Sequence, residues 1–295
     1  MSERKLKFAI FGNEYQPEKS TVFQHIIGIL KAHGAELVYD RCFYDFLTKD
    51  LSLKLDPDGV FDEDDMDADF AITMGGDGTF LKAATRVGTK KIPLMGINTG
   101  RLGFLADILP GEAAEAIDAV YNGDYIIEEH TSIEIQCEGE EMDINPYALN
   151  DIALLKRDHA SMITIRTSVN GEYLVTYQAD GLIVSTPTGS TAYSLSNGGP
   201  IMIPSTNILC ITPVAPHSLN IRPIVINDDS VITFTVESRS HSFLAAIDGR
   251  SKKLKEGTTV SVRKAPFTIS FVKRPTKRYF STLREKMMWG VDTRQ

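Results

Sequence analysis

The chain has a single tryptophan and only three cysteines in 295 residues, Cys42, Cys137 and Cys210, widely spaced and without a CxxC pair. That excludes a disulfide framework or a clustered zinc site, and it leaves reduced cytoplasmic thiols as the expectation. No stretch reaches the roughly 18 to 20 uncharged apolar residues that cross a bilayer, and the apolar part of MSERKLKFAIFGNEY is too short for a signal-peptide core. A soluble, unexported protein with no membrane partner is expected. Also missing are a Gly-Lys-Ser/Thr Walker loop, a GxGxxG with a trailing acid, and a GxSxG nucleophile elbow. Their absence removes the usual signatures of P-loop enzymes, dinucleotide folds and serine hydrolases. What is present is ordinary globular composition, 42% hydrophobic and 24% charged. At about 100 to 200 residues per domain, the length suggests two domains.

The net charge of -8 is local. Residues 56–69 (DPDGVFDEDDMDAD) carry eight of the 39 acids and none of the 31 bases, so the rest of the chain balances at 31 of each. This run lacks the EF-hand order of acids around a central glycine, and a solvated loop is expected. Residues 250–286 hold twelve bases against two acids. Those bases alternate with strand residues and no RNA- or DNA-binding motif accompanies them, so a wet or phosphate-facing sheet surface is expected and no nucleic-acid partner.

Apolar runs at 7–13 (KFAIFGN), 36–39, 70–74 and 92–97 read as short buried strands. Helical spacing at 18–33, 79–86 and 112–121 places helices between and after them, which argues for a parallel sheet covered on both faces. After residue 122 the texture becomes β-rich, with hairpin signals such as Asn170-Gly171 and Glu256-Gly257. The expected organisation is an α/β domain over 1–122, an antiparallel β domain over 123–275, and a tail over 276–295. In that tail Leu283, Met287 and Met288 suggest a short helix docked on one of the domains.

Three segments can carry chemistry. In Met74-Gly75-Gly76-Asp77-Gly78-Thr79 a buried strand ends and a helix begins; the glycines let backbone N–H groups approach an anion, and the helix start adds a favourable dipole. Asp77 in its middle either caps the helix, or binds a metal ion or a hydroxyl about to attack a phosphate. Residues 96–105 (GINTGRLGFL) end another strand and should border the same crevice, with Arg101 either a phosphate clamp or a surface ion pair. Residues 179–200 place seven Ser/Thr residues between Ser185 and Ser196, plus Tyr193, around Pro187 and Gly189. That density of donors suits ribose, amide or phosphate groups. Asn150-Asp151 and Asp248-Gly249 read as ordinary turn pairs.

Taken together, GGDGT at 75–79, NTGRLGFL at 98–105, Asn150-Asp151, DGLIVSTPTGSTAYSLSNGGP at 180–200 and YFSTLREKMMWG at 279–290 resemble the NAD kinases, in order along the chain. GGDGT is shared with diacylglycerol, sphingoid and 6-phosphofructo-kinases; the TPTGSTAYS stretch is the discriminating one. The resemblance implies a phosphofructokinase-like α/β domain, an all-β antiparallel C-terminal domain, and a tail returning to the first. It implies phosphorylation of the adenosine ribose 2'-hydroxyl of NAD, with ATP as donor and Mg²⁺ as the accompanying divalent metal. Asp77 would orient and deprotonate that hydroxyl, with Gly78 a neighbouring contact and Gly75, Gly76 and Thr79 completing the turn. Asn150 and Asp151 would hold the adenosine side, where the family usually has Glu in place of Asp151. Asp180 would take the base or amide, and Thr188, Thr191, Ala192, Tyr193, Ser194, Leu195 and Ser196 the ribose and diphosphate. Ser161 and Gln178 fall at positions near the substrate, and Lys82, one turn past Thr79, could meet a donor phosphate or simply be solvated. A homodimer or homotetramer is expected from the exposed edges of a β domain. A lipid or sphingoid kinase and a non-catalytic NAD(P) sensor are the rival readings.

Overall fold

The computed structural model describes residues 5–100, 103–157, 161–275, 279–288 and 290. The chain divides into two units, one of residues 1–129 and 269–295, the other of residues 130–268.

In the first unit, β1 (Lys7–Gly12), β2 (Glu36–Asp40), β3 (Gly59–Phe61), β4 (Phe70–Gly75) and β5 (Leu94–Asn98) form a parallel sheet in the order β5-β4-β1-β2-β3. Every residue of β4 and β5 is buried, as strands covered on both faces must be, which is why they read as unbroken apolar runs. The helices α1 (Ser20–Ala32), α2 (Arg41–Asp45) and α3 (Asp77–Val87) lie between them, and α4 (Ala113–Asn122) follows β5. Helix α1 buries Phe23, Ile26, Ile27 and Leu30, the stripe that its spacing indicates. The chain runs outward from β1 to β2 and β3, then returns to β4 on the other side. The strand order therefore reverses between β1 and β4, and the carboxyl ends of those strands are where such sheets bind ligands.

The acidic run exposes most of its acids, as a solvated loop should, but it is not loop throughout. It contains β3, which pairs with β2 through Val38 and Gly59, Tyr39 and Val60, Asp40 and Phe61. Phe61 is buried edge-on against Phe11, with the Arg86 guanidinium 5.2 Å from its ring centre. The acids themselves tie neighbouring strands: Asp58 accepts from the Leu37 N–H at 2.8 Å and Asp69 from the Lys7 N–H at 3.0 Å. A burial signal carried by two residues was masked by eight charges.

The second unit begins within β6 (Ile126–Cys137) and continues through β7 (Tyr147–Ala148), β8 (Asp151–Lys156), β9 (Ile163–Val169), β10 (Glu172–Ala179) and β11 (Gly181–Ser185). A four-residue helix α5 (Tyr193–Ser196) precedes β12 (Ile208–Val214), β13 (Ile224–Asn227), β14 (Ile232–Glu237), β15 (Ser242–Ile247), β16 (Arg250–Lys255) and β17 (Thr259–Lys273). Two antiparallel sheets result, one ordered β13-β12-β11-β8-β15-β16, the other running β10-β9-β14 onto the first part of β17. Their shared core includes Ile165, Leu182, Phe234 and Phe243. Asn170 and Gly171 join β9 to β10 with φ of 51° and 82°, as a two-residue hairpin turn requires.

The last residues of β17 return to the first unit, where Phe271 pairs in parallel with Leu94 and its ring meets Phe80 at 4.7 Å. Helix α6 (Tyr279–Met287) belongs to that unit too; it buries Leu283 and sets Lys286 5.4 Å from the Phe104 ring centre. Met288 lies past its end and is exposed. No described helix is long and apolar enough to cross a membrane.

Candidate functional site

In the first unit the glycine turn closes β4. A Cβ on Gly75 would lie 2.2 Å from Thr79 Oγ1, so only glycine lets the first turn of α3 fold back on the strand end. Gly76 is the extended N-cap, and Asp77 opens α3. The Asp77 carboxylate accepts three consecutive backbone N–H groups, from Phe104 at 2.7 Å, Leu105 at 2.9 Å and Ala106 at 3.1 Å. A Cβ on Gly103 would sit 2.0 Å from Asp77 Oδ1, so glycine is required there for the segment to close on the carboxylate. Asp77 is thus more than a helix cap: it joins the glycine turn to the 98–105 segment by its side chain. That segment is anchored at its start as well, since the Thr99 N–H donates to the Gly75 carbonyl at 3.1 Å and Asn98 Oδ1 accepts the Gly100 N–H at 2.9 Å. Arg101 lies outside the described residues.

Lys82 is not a free cation. Its ammonium reaches Glu14 at 2.9 Å and Asp40 at 3.4 Å. Partial burial works to lower its pKa, but the two carboxylates outweigh it and the net shift is upward. Asp40 is buried and also pairs with Arg86. Glu14, Asp40 and Cys42 come within metal-ligand distance of one another. With Lys82 and Arg86 already countering both acids, this donor set does not fit a divalent cation.

In the second unit Asn150 and Asp151 lead into β8 and are clamped from two sides. Asp248, in the turn between β15 and β16, accepts the N–H groups of Leu149 at 2.7 Å, Asn150 at 2.9 Å and Asp151 at 3.0 Å. On the other side the Thr186 N–H donates to the Asn150 carbonyl at 2.9 Å, and the Thr186 hydroxyl to the Leu149 carbonyl at 2.6 Å. Gly189 lies so close that a Cβ there would fall 2.0 Å from the Asn150 carbonyl oxygen. The backbone is fixed while one side-chain atom is left over: Asn150 Oδ1 is buried and has no hydrogen-bond partner among the described residues. A buried acceptor in that condition costs about 1 to 3 kcal/mol, which a ligand N–H would relieve. Burial, and then the Asp248 charge, push the Asp151 carboxyl up to about 7. Asp248 is itself raised by burial, with the three amides pulling the other way.

The hydroxyl-rich stretch divides by exposure. Ser185, Thr186, Thr188, Ser190 and Ser194 are buried. Thr188 meets His130 Nδ1 at 2.7 Å, Ser190 donates to the Pro187 carbonyl at 2.7 Å, and Ser194 meets Thr212 Oγ1 at 2.9 Å. Thr191, Ala192 and Leu195 are half-buried, and Tyr193 and Ser196 exposed. The outward donors are therefore fewer than the composition indicates, because most of the hydroxyls fix the loop. Asp180 is half-buried and salt-bridged to Lys156 at 2.7 Å. Gln178 and Ser161 come together elsewhere, lining a pocket of about 570 Å³ with Met162, Thr164, Glu237 and Arg239. Gly103, Thr186 and Asp248 are given no site role by the sequence, Asp248 reading only as part of a turn pair; each acts through a partner far along the chain.

Residues 8–125 match the family model described as the ATP-NAD kinase N-terminal domain, and residues 149–274 the one described as the ATP-NAD kinase C-terminal domain. The chain is 57% identical to the NAD kinase of Bacteroides fragilis, over 98% of its own length and 100% of that protein. It is 43% identical to the NAD kinase of Porphyromonas gingivalis, over 98% and 99% of the two chains. Among solved structures it is similar to an NAD kinase from Archaeoglobus fulgidus in complex with ATP, with a TM-score of 0.73, 25% identity, and 95% and 99% of the chains covered. Yeast NADH kinase complexed with NADH shares the fold, with a TM-score of 0.87 at 23% identity, over 99% of this chain and 90% of that one.

Proposed function

This chain belongs to the ATP-NAD kinase family, and from that membership we propose that it transfers the γ-phosphoryl group of ATP to the 2'-hydroxyl of the adenosine ribose of NAD, giving NADP. The observation that carries the reading is agreement over the whole chain, both domains matched and 57% identity to a named NAD kinase across 98% of its length.

In the reaction the ribose O2' forms a bond to the γ-phosphorus, the bond from that phosphorus to the β,γ-bridging oxygen breaks, and ADP leaves. Asp77 is the residue we assign to the hydroxyl. Its carboxylate cannot swing, because three amides and Gly103 hold it. Oδ2 accepts only one of those bonds, leaving a lone pair to receive the hydroxyl proton, which it takes as the new P–O bond forms. The amides of the Gly75–Gly78 turn and the start of α3 offer donors to phosphate oxygens. Asn150 and Asp151 are assigned to the adenosine side, where the unpartnered Asn150 Oδ1 awaits an N–H. Asp180 and the outward part of residues 191–196 are assigned to the remaining dinucleotide. The donor enters as its magnesium complex, a substrate, in which the ion neutralises the β and γ oxygens.

Incubation with NAD, ATP and Mg²⁺, followed by an NADP-specific enzymatic assay, is the test. NADP formation is expected; dinucleotide binding without product would make the protein a sensor instead. A cytoplasmic homodimer or homotetramer completes the reading. Edge strands β10 and β13 support pairing through exposed Tyr173 and Val225, and gel filtration against mass standards checks it.

A further inference from the structure

Asp248 belongs to no motif that points to the function. It stands with Gly249 in the two-residue turn from β15 to β16, with φ of 46° and 81°. Asparagine or glycine would serve such a turn at least as well. The carboxylate does something the turn does not need. It points inward and gathers the N–H groups of three successive residues that lie 97 to 99 positions earlier in the chain. The attachment is reciprocal, since the Asp248 N–H donates to the Asp151 carbonyl at 3.0 Å. From the same hairpin Arg250 reaches the Tyr147 carbonyl at 2.7 Å, a second tie just upstream. Burying a carboxylate is costly, and here the cost is met by bonds that all converge on the segment carrying Asn150 and Asp151.

We propose that Asp248 is a positioning residue for the kinase reaction: by holding the amides of residues 149–151 it sets the angle at which the Asn150 and Asp151 side chains meet the nucleotide. The proposal rests on the reading that Asn150 and Asp151 hold the adenosine side of NAD. With Thr186 and Gly189 bearing on the opposite side, the backbone there has one conformation. Remove the charge and the three amides lose part of their common acceptor, so the segment can relax without any change in the groups that touch substrate.

The decisive variant is Asp248→Asn, which suits the left-handed turn and keeps the size of the side chain. It should raise KM for NAD about tenfold, on the usual value of one charged hydrogen bond, while kcat and KM for ATP move less than about threefold. The pH dependence of KM for NAD should also shift to lower pH, because the Asp248 charge is one of the two causes that raise the Asp151 carboxyl, and Arg250 is the cation set against Asp248. A merely structural role would not move that profile. Asn150→Ala, assayed in parallel, separates the two claims. If it raises KM for NAD and Asp248→Asn does not, the positioning role is overturned and the site reading stands. If neither variant changes KM for NAD, the site reading fails and takes the proposal with it. Equal losses in kcat and both KM values, with an unshifted pH profile, also overturn it. Should Asp248→Asn fail to fold, Asp248→Glu, which keeps the charge but cannot match three closely spaced amides, is judged by the same KM criterion.

Discussion

Two carboxylates in this molecule grip the same thing, three consecutive backbone N–H groups, and do so for opposite reasons. In the α/β unit Asp77 is held by the amides of residues 104–106. In the β unit Asp248 holds the amides of residues 149–151. In the first case the carboxylate is the group assigned to the chemistry and the loop is its support. In the second the loop carries the assigned binding residues and the carboxylate is the support. Identical hydrogen-bond counts therefore do not reveal which partner is functional. Both carboxylates take two amides on Oδ1 and one on Oδ2, so what separates them is the neighbourhood: Asp77 stands in a glycine turn, whereas next to Asp248 the leftover polar atom is Asn150 Oδ1, on the loop.

The strongest way to break this contrast is Asp77→Asn. It retains the shape and one acceptor but loses the charge, so turnover to NADP should fall by roughly 10² or more, with NAD binding retained by calorimetry. Turnover at the wild-type level would reduce Asp77 to a second Asp248, a brace and nothing else. Next in size is Gly103→Ala, at a residue assigned no substrate contact. Its methyl would fall 2.0 Å from Asp77 Oδ1, so either the carboxylate or the loop must move. A displaced reacting group lowers kcat, here by about tenfold, with little change in KM for NAD. If steady-state kinetics show KM rising and kcat unchanged, the cage around Asp77 serves binding instead.

Much of the architecture was legible because buried parallel strands and amphipathic helices leave one-dimensional patterns, as in β4 and α1. Strand β3 was not, since Gly59–Phe61 sits among acids whose charge outweighs the one buried ring in any local reading. Strand β17 runs unbroken over 15 residues although Pro266 and neighbouring bases interrupt its apolar pattern. The glycine turn and the hydroxyl-rich loop announced themselves by composition. The composition did not say that five of the hydroxyls lie buried, because exposure is decided by strands far away in the chain. Asp248-Gly249 shows the limit most plainly. Its turn was readable from two letters, but the grip on residues 149–151 spans about a hundred positions and has no local signature.

The smallest effect sharpens the comparison through pH. Asp151 is driven up to about 7 by burial and by the Asp248 charge, from an ordinary value of 3.8. Because the folded protein then holds that proton more tightly than the unfolded chain, the carboxyl adds stability that is fully present below the unfolded value and is lost as pH rises through the folded one. Between pH 6 and 7 the loss should be about 1 kcal/mol in urea unfolding. Asp151→Asn should not show it, so the two stability curves lie closest at low pH and separate as pH rises. Asp248→Asn should show a smaller loss than wild type, since one of the two causes is gone. Parallel curves for wild type and Asp248→Asn over that interval, with Asp151→Asn still flat, would mean that the two carboxyls do not sense each other, and that Asp248 acts on the segment through its amides alone.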